Sequence, residues 1–295
     1  MGTTMTAARA RLRALLSTEE LITAPGVFDG LSASLAKRLG FAAAYMTGAG
    51  VSAAGFGLPD IGLVSQTEMV ERARMITSVL GDLPLIADAD TGYGGPLNVV
   101  RTVREYERAG VAALHLEDQA FPKRCGHLPD KELIGAGAYL DKLRAALDAR
   151  VDENLVIIAR TDARAPLGLD EAIDRANLYA AEGADVIFVE APQSLAELER
   201  VAAEVPAPLL INMVQGGLTP DTGAETLARL GFRIAIHPGA ALAASAYAML
   251  HSLAALRGAE AEPVSASPAG FFELVGLREW SELGERYREE ARSWA

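Results

Sequence analysis

Directly after an apolar run at residues 112–116, the chain sets two carboxylates, Glu117 and Asp118, then breaks at Pro122 into Lys123, Arg124, Cys125, Gly126 and His127. A cysteine flanked by cations is biased towards the thiolate and towards proton transfer, and a neighbouring glycine lets such a loop open and close. Taken alone, the stretch also reads as a polar surface loop, because a short motif stays a hypothesis until its context agrees. Asp88 and Asp90 follow another apolar run, and with Glu117 they form a set of carboxylates with no histidine or thiolate among them. Hard oxygen donors of this kind suit Mg²⁺, with Mn²⁺ as a substitute, and clustered carboxylates repel unless a cation joins them. Residues 90–95 also read as a glycine turn. Arg160 closes an apolar run, where an unpaired cation is costly. It either pairs with a structural carboxylate or clamps a substrate carboxylate through two hydrogen bonds. The backbone amides around Thr47, Gly48, Ala49 and Gly50 can form an anion cradle.

These groups have to be positioned by a repeating unit. Apolar runs at 21–24, 42–46, 84–88, 112–116, 155–160, 185–189, 208–212 and 233–236 read as strands separated by helix signals. Asp29 caps a helix ending at Gly40, Ser65 with Glu68 and Ser194 with Glu197 read as capping boxes, and Pro96 opens a helix closed by Gly110. A further helix runs from about Asp170 to Ala181, and Pro220 lies near another helix start. The strand runs are continuous rather than alternating, as in parallel strands covered on both faces. Eight such units predict an α/β chain, a (β/α)8 TIM-type barrel.

Active sites of that fold lie at the carboxyl ends of the strands. There the chain carries Tyr45, Thr47, Asp88, Asp90, Glu117, Arg160, Glu190, Asn212 and His237. So many polar groups converging on one mouth point to a functional site. The barrel, with an amphipathic lead-in helix at 6–16, accounts for residues 1–257. Its last helix, at 240–256, is long and built of small residues. Residues 258–295 make a linker and a charged helical tail holding Trp280 and Trp294.

The chain has 295 residues, half of them hydrophobic, enough to bury a large core. A net charge of −12 without a basic block argues against nucleic acid as partner. One cysteine cannot form an internal disulfide, which makes the reducing cytoplasm the expected location. No apolar run reaches membrane-spanning length, and the amino terminus lacks a signal core. The opening Met1–Thr6 fits a loose myristoylation pattern that nothing else supports.

Five motifs together resemble the isocitrate lyase/phosphoenolpyruvate mutase superfamily: the run 88–94 from Asp88 to Gly94, Glu117–Gln119 with Lys123–His127, Ala159–Ala163, Val189–Ala191 and Asn212–Val214. The resemblance covers nearly the whole chain and is nearest to the branch of 2-methylisocitrate lyase, dimethylmalate lyase, the petal death protein and carboxyphosphonoenolpyruvate phosphonomutase. It implies a Mg²⁺-dependent enzyme acting on a small 2-hydroxy or 2-oxo acid, and a homotetramer whose eighth helix is swapped between subunits. By matching position it implies that Asp88, Asp90, Glu117 and Asp60 surround the metal. Thr47, Gly48 and Ala49, beside Tyr45, would meet the substrate carboxylate. Arg160, Glu190 and Asn212 would line the same pocket, and Lys123, Arg124, Cys125, Gly126 and His127 would form its gating loop. Cys125 would then act as general acid on the carbanion released by a retro-aldol-like C2–C3 cleavage.

Departures from the pattern bear on the substrate. The methylisocitrate branch usually continues past the strand-seven asparagine with Thr-Glu-Phe-Gly, where this chain has Val214, Gln215, Gly216 and Gly217. Arginines expected after Pro238 and near Gly270–Phe272 are missing. A third carboxylate would lack its partner and be expensive to desolvate. The expected substrate is therefore a 2-hydroxy-dicarboxylate such as an alkylated malate, cleaved to an α-oxo acid and a carboxylate. The alternatives are a phosphonomutase, which would keep the same cysteine loop, and an oxaloacetate hydrolase, against which Pro238 speaks. A non-catalytic binding barrel is the remaining reading.

Overall fold

The computed structural model describes residues 2–265 and 267–292; Met1 and Trp294 lie outside the described residues. All eight expected strands form: β1 Ile22–Val27, β2 Ala44–Met46, β3 Leu85–Asp88, β4 Ala113–Glu117, β5 Val156–Thr161, β6 Val186–Val189, β7 Leu209–Asn212 and β8 Phe232–His237. Each pairs in parallel with the next, and β8 pairs with β1 to close the barrel. Successive strand side chains alternate between the barrel interior and the helix layer. Ile86, Ala113, Val156, Ile158, Val186, Phe188, Leu210, Ile234 and Ile236 fill the interior, while Leu114, Ile157, Ile187 and Ile211 pack outwards with the helices.

That alternation decides which polar residues reach the mouth. Two residues above Ile86, Ile158, Phe188 and Leu210 come Asp88, Arg160, Glu190 and Asn212, and Glu117 pairs in register with Arg160. Asp88 pairs with His115. His237 is one residue beyond the inward-facing Ile236 and therefore points away from the mouth. The expectation that His237 joins the site is corrected by that parity.

The lead-in helix is longer than expected, Gly2–Leu16. It places Leu12, fully buried, in the barrel's interior cluster. Arg9 donates to the Val111 carbonyl at 3.0 Å and pairs with Asp152 at 3.1 Å, and Arg13 reaches Asp185 at 2.7 Å. Ser65 and Glu68 form the expected capping box, and Asp29 caps its helix as expected, reciprocally with Ser32, though that helix ends at Arg38 and not at Gly40. Ser194 accepts from Glu197 N, but the Glu197 carboxylate is taken by Arg164 and the Gln193 amide, so the second capping box is only half made. The helix Ala136–Ala149 was not expected, its start being a plain glycine with no side-chain cap. Thr47 to Gly50 is not a free loop: it opens a helical turn, Gly48–Gly50, that passes into a π-helical turn, Val51–Phe56.

The small-residue helix forms as Ala240–Arg257, with Leu242 as its only buried residue. Tyr247, Met249, Leu253 and Leu256 on it are more than half exposed. Past the linker, Phe272 and Leu277 turn back and pack on Leu128 of the cysteine loop. No helix among the described residues is long and apolar enough to cross a membrane.

Candidate active site

A cavity opens at the carboxyl ends of the strands. Its floor and walls bring together Tyr45, Thr47, Ala49, Asp60, Asp88, Lys123, Cys125, Gly126, His127, Arg160, Glu190 and Asn212. Gly48, Asp90, Glu117 and Arg124 are not part of this lining. Gly48 presses so closely on Asp88 that a Cβ would lie 2.6 Å from its Oδ2, and its amide donates to the same oxygen at 3.2 Å. Thr47 Oγ1 accepts from Gly50 N at 3.2 Å. The amide cradle is thus aimed at Asp88 and at its own turn.

Asp88 also accepts from Asp90 N at 3.0 Å and from Tyr45 Oη at 3.4 Å. Burial pushes the Asp88 carboxyl up, but the His115 imidazole, Lys123, Arg160 and the Asp90 amide outweigh it and bring it down to about 2. Tyr45 Oη and His115 Nε2 are 2.9 Å apart. Burial lowers His115 to about 4 against the pull of Asp88, so it is neutral at pH 7. Asp90 sits at φ 46°, a left-handed conformation that aspartate tolerates better than most residues. Burial, with Asp88 and Asp60 nearby, raises it to about 7 despite Lys123.

The carboxylates are not left to repel one another. Lys123 Nζ lies 2.5 Å from Asp60 and 2.9 Å from Asp90. Burial alone would lower its pKa, yet Asp60, Asp90, Glu117 and Asp88 together raise it. Arg160 meets Glu117 at 3.3 Å, Asp162 at 2.9 Å and Glu190 at 3.0 Å, with its guanidinium over the Phe188 ring. Of the two roles open to Arg160 in the sequence, the structure fills the structural pairing with three carboxylates. The need for a cation, inferred from repulsion alone, is met in part by these two side chains.

Among the described residues, no three His, Cys, Asp or Glu side chains converge into a metal cage. Two buried carboxylate oxygens among the described residues nevertheless lack hydrogen bonds: Glu117 Oε1, and Asp90 Oδ1, whose contact with Lys123 is a charge contact without hydrogen-bond alignment. Mg²⁺ keeps several waters and takes few protein carboxylates directly. Asp88 and Asp90, with Glu117 and Asp60 near them, fit an ion of that kind.

The cysteine loop closes the cavity from above. Gln119 holds the backbone of Arg124 at both ends, accepting from its N at 3.0 Å and donating to its O at 2.8 Å. Cys125 N donates to Asp60 O at 2.9 Å. Burial, then the charge of Asp60, pushes the Cys125 thiol up to about 12. This corrects the thiolate expected from flanking cations: Lys123 is spent on Asp60 and Asp90, so Cys125 stays protonated at neutral pH. His127 Nδ1 accepts from Leu218 N at 3.1 Å, which leaves the ring proton on Nε2, facing Glu190 at 3.4 Å. Burial raises the Glu190 carboxyl, but Arg160 and His127 together hold it below the usual range. Asn212 Nδ2 donates to Glu190 at 3.2 Å.

Sequence reasoning passed over His115 and Asp162, both fully buried under the site, and Lys131. The position of His115, two residues before Glu117 on an inward-facing register, was the available signal. The outer wall is largely apolar, with Val214, Pro238, Leu242, Phe271 and Phe272, and carries Gln215 and Ser265 as uncharged polar members.

A sequence model of the family described as phosphoenolpyruvate phosphomutase matches residues 12–257. The chain is 44% identical to 2,3-dimethylmalate lyase of Eubacterium barkeri over 94% of its own length and 97% of that protein. Its fold matches a structure of oxaloacetate acetylhydrolase in complex with the inhibitor 3,3-difluorooxalacetate, with a TM-score of 0.84 and 42% identity over 96% and 97% of the two chains. It also matches phosphonopyruvate hydrolase in complex with oxalate and Mg²⁺, with a TM-score of 0.73 and 30% identity over 95% and 99%.

Proposed function

Because the chain belongs to the phosphoenolpyruvate mutase family within the isocitrate lyase/phosphoenolpyruvate mutase superfamily, we propose that it is a Mg²⁺-dependent carbon–carbon lyase. It cleaves a 2-hydroxy-dicarboxylate, an alkylated malate, to an α-oxo acid and a carboxylate. The observation that carries this reading is the Cys125 thiol lining the same cavity as Asp60, Asp88 and Lys123.

Mg²⁺ held by Asp88 and Asp90, with Glu117 and Asp60 near it, would supply Lewis acidity towards the oxygens of the substrate's 2-hydroxy acid end. The protein's own groups do the rest. Thr47 and Ala49 border the end of the cavity that receives this carboxylate, and Tyr45 lies beside them. As the C2–C3 bond breaks, the hydroxyl proton passes to the buried Asp–Lys network, and the bonding pair moves onto C3 and its carboxylate. Cys125 gives its proton to C3. A thiol held near pKa 12 is a poor nucleophile but remains protonated until a carbanion forms. The closed loop keeps water from quenching that carbanion first.

The outer wall supports the choice of substrate. Lys123 and Arg160 are the lysine and arginine lining the cavity, and both are fully engaged with protein carboxylates. A third substrate carboxylate against Val214, Leu242 and Phe271 would be desolvated without a cationic partner, Gln215 and Ser265 being uncharged, whereas an alkyl group would be at home. A second reading, hydrolysis of oxaloacetate, draws on the fold match to oxaloacetate acetylhydrolase. The test is mass-spectrometric turnover of alkylmalates, oxaloacetate and phosphonopyruvate with Mg²⁺. Release of an α-oxo acid from an alkylmalate supports the lyase, while turnover of only oxaloacetate or a phosphonate moves the assignment to those activities.

The active assembly we propose is a cytoplasmic homotetramer in which Ala240–Arg257 crosses to a neighbouring subunit and residues 258–295 belong to the interface. The exposed apolar side chains of that helix support it.

A further inference from the structure

Behind the cysteine loop lies a buried lysine that the chemistry above does not use. The Lys131 side chain is 2% exposed, and its ammonium has two contacts: Asp162 Oδ1 at 3.2 Å and the carbonyl oxygen of Gly126. Asp162 binds Arg160 through both its oxygens, at 2.9 and 3.1 Å. Gly126 rests so tightly on the same arginine that a Cβ would lie 2.5 Å from Nη2 and 2.7 Å from the Glu190 carboxylate. A buried ammonium is costly unless paired, and Asp162 already has Arg160. The contact that only Lys131 supplies is therefore the one to Gly126.

A trans peptide points its carbonyl and its N–H in opposite directions. Fixing Gly126 O on Lys131 thus fixes the direction of the His127 N–H, inside the turn that Leu128 N closes by donating to Cys125 O at 2.8 Å and whose residues Cys125, Gly126 and His127 line the cavity. We propose that Lys131 is a positioning residue: through Gly126 O it sets the 126–127 peptide so that Cys125 and His127 face the cavity together, and through Asp162 it ties the loop to Arg160. This role rests on the lyase reading, in which Cys125 delivers the proton.

The test uses the full-length protein with Lys131→Met and Lys131→Arg, read by steady-state kinetics and by hydrogen–deuterium exchange. Lys131→Met should lower kcat about 10²-fold with KM changed less than about threefold, the signature of a misplaced group rather than lost binding. Exchange should quicken at the His127 and Leu128 amides and stay unchanged in β5. Lys131→Arg, which keeps a donor for the carbonyl, should recover at least about tenfold of the lost kcat. Should Lys131→Met fail to fold, Lys131→Gln, which shortens the reach and removes the charge, takes the same two readouts. A kcat within about twofold of wild type, or a loss of kcat with the loop's exchange unaltered, overturns the proposal. So does faster exchange spread across the whole barrel, which would mark a merely structural role. If the wild type turns over no 2-hydroxy-dicarboxylate, the lyase reading has failed. The exchange comparison still decides the positioning role: quickening confined to the loop upholds it, and its absence overturns it.

Discussion

At the scale of single residues, the site is set by how burial and charge divide the protons. Cys125 and Asp90 are both pushed up, but to different ends. Cys125, near 12, holds its proton at every physiological pH. A serine in its place is a far weaker carbon acid catalyst, and Cys125→Ser should lower kcat by about 10²- to 10⁴-fold, the span of general-acid contributions. Mg²⁺ affinity measured by calorimetry should hold, and near-wild-type turnover would remove Cys125 from the reaction. Asp90 titrates near 7 when no metal shares its site, against an ordinary 3.8. A folded-state pKa raised above the unfolded value means stability that is fully present below pH 3.8 and lost as pH rises through about 7. In chelator, Asp90→Asn should therefore be more stable than wild type at pH 8, by a few kcal/mol at most (~1.4 kcal/mol for each tenfold change in proton affinity, reduced by the loss of the Lys123 contact), and gain little at pH 4. Thermal melts at the two pH values read this directly. An equal effect at both would mean that Asp90 is not held protonated by its surroundings. The same variant should be inactive, a trade of function against stability common at sites that crowd charge.

At the scale of elements, the strands explain both what the sequence disclosed and what it withheld. Continuous apolar runs made all eight strands legible, and the last residue of several runs was a polar group at the mouth: Asp88, Arg160 and Asn212 all follow this rule. What a run of apolar residues cannot fix is which face its terminal residue takes, because both faces are buried in a closed parallel barrel. His237 was misread for that reason. Nor does a sequence reveal how ion pairs sort themselves among many candidates. Arg160 has three carboxylate partners, one of which, Asp162, comes from two residues further along its own strand exit. The cations beside Cys125 were visible, but their directions were not: Lys123 turns down to Asp60 and Asp90. The loop itself is joined to the strand-seven loop through His127 and Leu218 N, and Gly126 has no room for a side chain. Gly126→Ala should lift both loops off Arg160 and Glu190, lowering kcat/KM by about 10²-fold while leaving the barrel's melting temperature nearly unchanged. Unaltered kcat/KM would mean that the close packing of Gly126 on Arg160 is not needed during turnover.

At the scale of the whole molecule, the helix Ala240–Arg257 is the element a single chain leaves unsatisfied. Every other long barrel helix buries a face against the strands; here only Leu242 is buried, and the apolar side chains at 247, 249, 253 and 256 stand in solvent. Exposed apolar patches of this kind mark interaction surfaces. On the first helix after β1, Gly30–Arg38, and at its cap, Leu31, Leu35 and Leu39 are also exposed, so a barrel surface lacking cover and a helix lacking a surface occur on one chain. A second copy would satisfy both at once, and a two-fold exchange of this helix would be self-complementary. Because Leu242 and Ala243 at the start of the helix line the cavity and Phe272 beyond the linker packs on Leu128 of the cysteine loop, the proposed assembly and the site would share residues. The wild type should therefore sediment as a tetramer at micromolar concentration. Met249→Asp with Leu253→Asp, which places two charges in the exchanged face, should shift it to monomers and lower kcat/KM, although neither residue touches the cavity. Sedimentation velocity and initial rates on the same samples decide it. A wild type that sediments as a monomer would end the exchange, and a dissociated double variant with full activity would separate the assembly from the site.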